Sequence, residues 1–174
     1  MEVYLWDAFD PTSPFYRTPH PYTAARNNPV NFFETAHTSN YSILLDASSE
    51  KGFYKVGYTK NAEKGILPKS NLDKNFFNFG GSYKITENLT ANASMNTSYV
   101  TGLGRYGSGY DDKNLMTNFR QWWATTTDIA DQKAAYFRNK KNITWNWADP
   151  DDLTPIYWDN PYFTRYENFQ NDSR

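Results

Sequence analysis

Between residues 75 and 99 the chain alternates apolar and polar residues in two runs separated by one short polar turn. Phe77, Phe79, Gly81, Tyr83 and Ile85 alternate with Asn78, Gly80, Ser82 and Lys84. After Thr86-Glu87-Asn88, Leu89, Ala91, Ala93, Met95 and Tyr99 stand against Thr90, Asn92, Ser94, Asn96 and Ser98. Side chains on a strand point to opposite faces in turn, so each run makes a ribbon with one apolar and one polar side. Each run is about ten residues long, roughly what a tilted strand needs to cross a hydrocarbon layer. The pair reads as two staves of a transmembrane antiparallel β-barrel.

The same pattern begins earlier, with Tyr41, Ile43, Leu45 and Ala47 opposite Ser42, Leu44, Asp46 and Ser48. Ser49-Glu50-Lys51-Gly52 then makes a turn, and Tyr54, Val56 and Tyr58 resume the alternation. A polar stretch, Lys60 to Lys74 with Gly65 and Pro68, separates the two strand pairs. Connections therefore run short, long, short, long, the habit of outer-membrane barrels with tight periplasmic turns and long outer loops. The expected organisation is an extracellular loop region over 1–40, amphipathic strands with periplasmic turns over 41–100, and a long extracellular loop over 101–174 leading to a further strand. Residues 112–127 are expected to be helical, with Leu115, Met116, Phe119, Trp122 and Trp123 on one face and Asp111 or Asp112 as cap. Four such strands cannot close a barrel, which takes at least about eight. The expected fold is therefore all-β, a fragment of a transmembrane antiparallel β-barrel with long loops and one short loop helix.

Composition fits that expectation. Aromatics make up 18% of the 174 residues, yet mean hydropathy is −0.84. Large rings in a polar background suit surfaces that face lipid or ligand on one side and water on the other. The net charge of −1 comes without a basic cluster, which gives nucleic acid no support as a partner. Cysteine is absent, so disulfides and thiolate metal sites are excluded. No apolar run approaches the roughly 18 residues of a membrane helix. The first residues, Met-Glu-Val-Tyr-Leu-Trp-Asp, do not make a secretory signal, and for a secreted barrel this implies a piece of something longer.

Several motifs reduce to plain structure. Gly102-x-Gly104-x-x-Gly107 matches a dinucleotide fingerprint, but the preceding strand is polar on one face, whereas a Rossmann strand is apolar on both. Asp149-Pro150-Asp151-Asp152 lacks the spacing, central glycine and distal Glu of a calcium loop and reads as a solvated turn. His20, between two prolines, braces a loop, and neither it nor His37 has metal-ligand or nucleophile-adjacent spacing. Asn-x-Ser/Thr sequons at Asn40, Asn88, Asn92, Asn96, Asn142 and Asn171 follow from an Asn- and Thr-rich composition, and several fall on strand faces, which argues against glycosylation. Neither a catalytic residue nor a cofactor or metal site is expected, and the chain is not read as an enzyme. The aromatic residues of the last third could stack on sugar rings. Trp122, Trp123, Trp145, Trp147 and Trp158 are the candidate ligand-contacting residues. The competing and favoured role for them is packing of the loop or a girdle at the membrane interface.

Segments across most of the chain, in order, carry a family resemblance. Asn28-Pro29-Val30, Phe32-Phe33-Glu34-Thr35, Lys64-Gly65-Ile66-Leu67-Pro68 and Gln121-Trp122-Trp123 resemble stretches of the SusC/RagA-type TonB-linked outer-membrane transporters. The most specific is Asp152-Leu153-Thr154-Pro155-Ile156-Tyr157-Trp158-Asp159-Asn160-Pro161-Tyr162, similar to the loop that precedes a descending barrel strand in that family. The pattern departs at Ala36, where the family often has Gly, and at Ser48-Ser49, where it commonly has a Gly pair. The resemblance covers an early barrel segment and two outer loops, without plug domain or TonB box. It implies energised import across the outer membrane of glycans or peptides, with a SusD-like lipoprotein and with TonB acting through the plug. No individual binding residue transfers from it. The alternative from the residues alone is a soluble β-sandwich carbohydrate-binding module, whose apolar face would be hidden by a second sheet.

Overall fold

Two turns of two residues each fold the middle of the chain into a meander. Strand β3 (His37–Ser49) returns through Glu50-Lys51 as β4 (Gly52–Lys64), and β5 (Asn71–Thr86) returns through Glu87-Asn88 as β6 (Leu89–Leu103). The computed structural model describes residues 1–104, 109–110, 114–167 and 171–173. It divides into two units, one of Met1–Glu34, Leu67–Lys69 and the described part of Gly104–Gln170, the other of Thr35–Ile66, Ser70–Leu103 and the described part of Asn171–Arg174. The fold is mostly β and its sheets are antiparallel.

In the second unit the sheet order is β3-β4-β5-β6-β9, where β9 (Asn171–Ser173) pairs only with Thr101–Leu103. The register aligns the alternating residues across the strands. Ile43, Tyr58, Phe77 and Thr97 form one row, Leu45, Val56, Phe79 and Met95 the next, and Ala47, Tyr54, Gly81 and Ala93 a third. One face is thus apolar in every strand, as the alternation dictates. Ser49 ties the first turn, its hydroxyl donating to the Gly52 carbonyl at 3.3 Å and accepting from Lys51 N. Gly52 is required there because a Cβ would lie 2.1 Å from the Ser82 carbonyl oxygen. The β5–β6 register shifts between Lys84 and Thr86, a bulge that precedes the second turn.

The strands run on past the expected ends. Residues 60–64 and 71–74 lie in β4 and β5 rather than in a loop, which shrinks the connection to 65–70, closed by Gly65 N donating to Ser70 O at 2.9 Å. No alternation marks these ends because both faces are polar there. Backbone pairing and the 2.9 Å Lys74–Glu63 ion pair hold them instead.

The first unit has its own core. Phe32, Leu67, Leu115, Ile129, Tyr136 and Tyr162 form one buried cluster, with Phe33, Met116, Phe119, Trp123, Phe163 and Tyr166 against it. Trp6, Ala135 and Ile143 form a second, flanked by Leu5, Trp145, Trp147 and Leu153. Short elements surround them: β1 (Glu2–Val3) paired with β2 (His20–Pro21), α1 (Leu115–Thr117), α2 (Ile129–Asn139), the hairpin β7 (Trp147–Asp149) and β8 (Asp152–Pro155), and α3 (Pro161–Glu167).

The expected helix over 112–127 is shorter than its spacing implies and winds more widely after its first turn. Helix α1 spans only Leu115–Thr117 and continues as a π-helical turn, Asn118–Trp122. Asn114 caps it by accepting from Met116 N at 3.1 Å. The proposed caps Asp111 and Asp112 lie outside the described residues.

Asparagine and aspartate side chains take the place of backbone partners through this unit. Asp128 caps α2 by accepting from Ala130 N at 2.8 Å, and its other oxygen accepts from Asn27 N and Nδ2. Lys140 ends α2 in the left-handed region at φ 60°. Fully buried Asn160 donates to the carbonyls of Gln132 and Ile143 and accepts from Tyr162 N. Arg165 is also buried, with Nε donating to Pro68 O at 3.0 Å and Nη2 to Gly104 O at 2.7 Å.

Candidate functional site

Two surfaces stand out, one in each unit. In the second unit the apolar face of the sheet is uncovered. Tyr41, Ile43, Leu45, Tyr54, Tyr83 and Met95 are between 51% and 64% exposed. A soluble domain buries such a face or keeps its exposed patches small. The strand edges are open as well. Among the described residues β3 pairs with β4 alone, and β6 is paired on its outer side over Thr101–Leu103 alone. Near the two turns the face holds a hollow of ≈ 500 Å³ among Ala47, Tyr54, Phe79, Gly81, Tyr83 and Ala93.

In the first unit a hollow of ≈ 750 Å³ is walled by Val30, Phe33, Tyr110 and Phe119, with Arg120 and Gln121 among its polar members. Asn114 Nδ2 and the Thr117 hydroxyl both donate to the Gly109 carbonyl at its side. Between the lining residues Thr117 and Phe119 in sequence, Asn118 is fully buried, and neither of its amide atoms has a hydrogen-bond partner.

The five candidate tryptophans are not brought into one site. Trp123 packs on the first core cluster, edge-on to Phe119 at 5.3 Å and to Trp145 at 5.7 Å, and donates Nε1–H to Thr127 O. Trp145 and Trp147 flank the second cluster, and Trp147 lies 5.0 Å from Phe9. Trp158 is buried, held by its backbone to Asn146 and Thr144. Trp122 alone is open, at 49% exposure, stacked at 22° on Trp158 with exposed Tyr110 edge-on to both. Residues beside the hollow that were not among the candidate ligand contacts, Phe33, Tyr110 and Arg120, come from separated positions in the chain, and no local spacing links them.

The motifs set aside in the sequence take structural positions. Gly102 pairs with Leu72 inside the sheet, while Gly104, at φ 71°, packs against the Lys69 carbonyl. Gly107 lies outside the described residues. Asp149 closes the β7–β8 turn by accepting from Asp151 N and Asp152 N. Thr154 hydrogen bonds draw the Asp152 carboxyl below the usual range. His20 sits 3.2 Å from buried Asp7 and edge-on to Phe15. His37 opens β3 opposite Lys64.

Burial raises the pKa of Asp7 despite His20, and it raises that of Asp131, helped by Asp128. Burial pushes the Tyr162 phenol up to about 12, and it raises Tyr136, whose hydroxyl donates to Glu167 at 2.6 Å. Arg165 is lowered by its burial. Among the described residues no three His, Cys, Asp or Glu side chains converge as a metal site would need, and no helix is long and apolar enough to cross a membrane. The latter says nothing of strands. No family model, curated protein or solved structure matches the chain.

Proposed function

We propose that this chain is part of the β-barrel of a SusC/RagA-type TonB-linked outer-membrane transporter. It would import glycans or other oligomeric nutrients together with a SusD-like lipoprotein. Its role is transport and not catalysis, with TonB acting through a plug domain encoded elsewhere in the longer protein. The observation that carries this reading is the in-register apolar face, more than half exposed at Tyr41, Ile43, Leu45, Tyr54, Tyr83 and Met95, in a sheet whose edges are largely unpaired among the described residues. Lipid is the one solvent that favours such a face, and edges facing lipid need neighbouring strands to satisfy their backbone groups. The meander with two-residue turns at one end and longer connections at the other supports the same reading. A soluble carbohydrate-binding sandwich needs a second sheet over this face, and exposures above one half speak against it.

Flotation tests the membrane half of the reading. The chain, transferred from detergent into phospholipid vesicles, is expected to float with them and to precipitate when detergent is removed without vesicles. A monodisperse monomer in plain buffer would contradict it. The flanking coding sequence tests the family half: a plug domain upstream, further alternating strands downstream and an adjacent lipoprotein gene are expected. Flanking stop codons with no further barrel sequence would contradict it.

A further inference from the structure

The ≈ 750 Å³ hollow of the first unit has the size of a small-molecule site. Its described lining comes from residues 29–33 and 109–121, all in that unit, so it stands independently of the membrane reading. The apolar wall is mostly ring. Phe33 and Phe119 meet edge to face at 6.1 Å, Tyr110 is 68% exposed, and Met116 adds a thioether. A ring entering there gains edge-to-face and sulfur–aromatic contacts.

The polar side is sparse. Asn114 Nδ2 and the Thr117 hydroxyl are committed to Gly109 O, and Asn114 Oδ1 accepts from Met116 N. Arg120 and Gln121, both exposed, remain wholly uncommitted. Arg120 is the one charged group among the described lining residues, and among the described residues its guanidinium has no ion-pair or hydrogen-bond partner. A guanidinium presents its donors in a fixed fork, which a carboxylate fills with two parallel hydrogen bonds. A sugar needs convergent partners for many hydroxyls, which one guanidinium and one amide do not supply.

Both groups are carried on the π-helical turn Asn118–Trp122. Such turns are rare and occur often at functional sites. This one begins at Asn118, whose buried amide is unpartnered and therefore destabilising. The winding costs stability, and what it places beside the hollow is Arg120 and Gln121.

We propose that this hollow binds a small carboxylate with an aromatic or branched aliphatic body, its carboxyl on Arg120 and its body against Phe33, Met116 and Phe119. Its ligand differs in class from a neutral glycan.

The test follows 3-phenylpropionate by saturation-transfer NMR on the full chain in detergent micelles, with protein-free micelles as blank. The neutral amide of the same acid and maltotriose are compared with it. Saturable binding of the acid is expected, and the amide should bind about tenfold more weakly because charge-assisted hydrogen bonds are lost. Arg120→Gln is expected to reduce the acid to the affinity of the amide. Arg17→Gln, which removes an exposed guanidinium outside the described lining, should leave it unchanged. Equal affinity for acid and amide, or for the acid in Arg120→Gln and the unsubstituted chain, overturns the proposal. Binding of maltotriose without the acid also overturns it, in favour of a sugar, as does the absence of saturable binding. Should Arg120→Gln fail to fold, Val30→Glu decides, since it adds a like charge at an exposed lining residue: it weakens the acid and not the amide, or the proposal is overturned. The membrane reading fails separately, by solubility without detergent, and the titration is then read in plain buffer with the same outcomes.

Discussion

The two units solve the problem of apolar surface in opposite ways. The first buries Phe32, Leu115, Ile129, Tyr136 and Tyr162 among its own loops and short helices, and closes its backbone with Asn160, Asp128 and Arg165. The second leaves most of its aromatic and aliphatic side chains exposed or half-exposed and is held by backbone ladders with a few polar side-chain pairs across the strands. The first therefore carries its hydrophobic stabilisation internally. The second has to draw it from whatever its face touches, since about 25 cal/mol per Å² is gained only when apolar area leaves water.

All six tryptophans lie in the first unit, so their fluorescence reports on its unfolding alone. The largest expected effect is from Phe32→Ala, which empties a ring site in contact with Phe33, Phe119 and Tyr162 and should cost about 3–5 kcal/mol by denaturant titration. The matching change in the other unit, Phe79→Ala, should leave that transition within roughly 0.5 kcal/mol and lower vesicle binding instead. Equal losses from both changes would break the contrast between the units.

Next in size is Gly104→Ala. At φ 71° its Cβ would lie 2.2 Å from the Lys69 carbonyl oxygen and 2.6 Å from Arg165 Nη2. A loss of about 2–3 kcal/mol is expected in the same titration. A smaller effect should come from Tyr162. Its phenol is raised to about 12 in the fold from the ordinary 10, so the unfolded chain loses its proton first. Stability contributed below pH 10 is then lost as pH rises to 12, by roughly 1.4 kcal/mol per unit. Tyr162→Phe should make that limb shallower, and the part that remains belongs to Tyr136, whose phenol is raised as well. Asn118→Leu is expected to act with the opposite sign, gaining about 1 kcal/mol by removing a buried amide without partners.

The contrast also explains which parts could be read in advance. Faces of the sheet were legible because a period of two leaves no alternative once one side is apolar, and the register keeps Phe77, Phe79 and Tyr83 on the expected side. Strand ends were not, since Asn61, Glu63 and Lys74 are polar wherever they point. Helix α2 escaped notice although Asp128 is a good cap, because its buried stripe includes Gln132 beside Ile129 and Ala135. Its amphipathicity is weak, and tertiary packing decides it. The tryptophan spacing showed that rings were plentiful, but only the fold separates open Trp122 from buried Trp158.

Lack of cysteine allows spin labels to be placed one at a time along β5. With single Cys substitutions at residues 77 to 84 in phospholipid vesicles, relaxation by oxygen and by a water-soluble nickel chelate reads which solvent each position meets. Lipid contact predicts oxygen access at 77, 79, 81 and 83, and nickel access at 78, 80, 82 and 84. Nickel access at all eight, with no period of two, would contradict it.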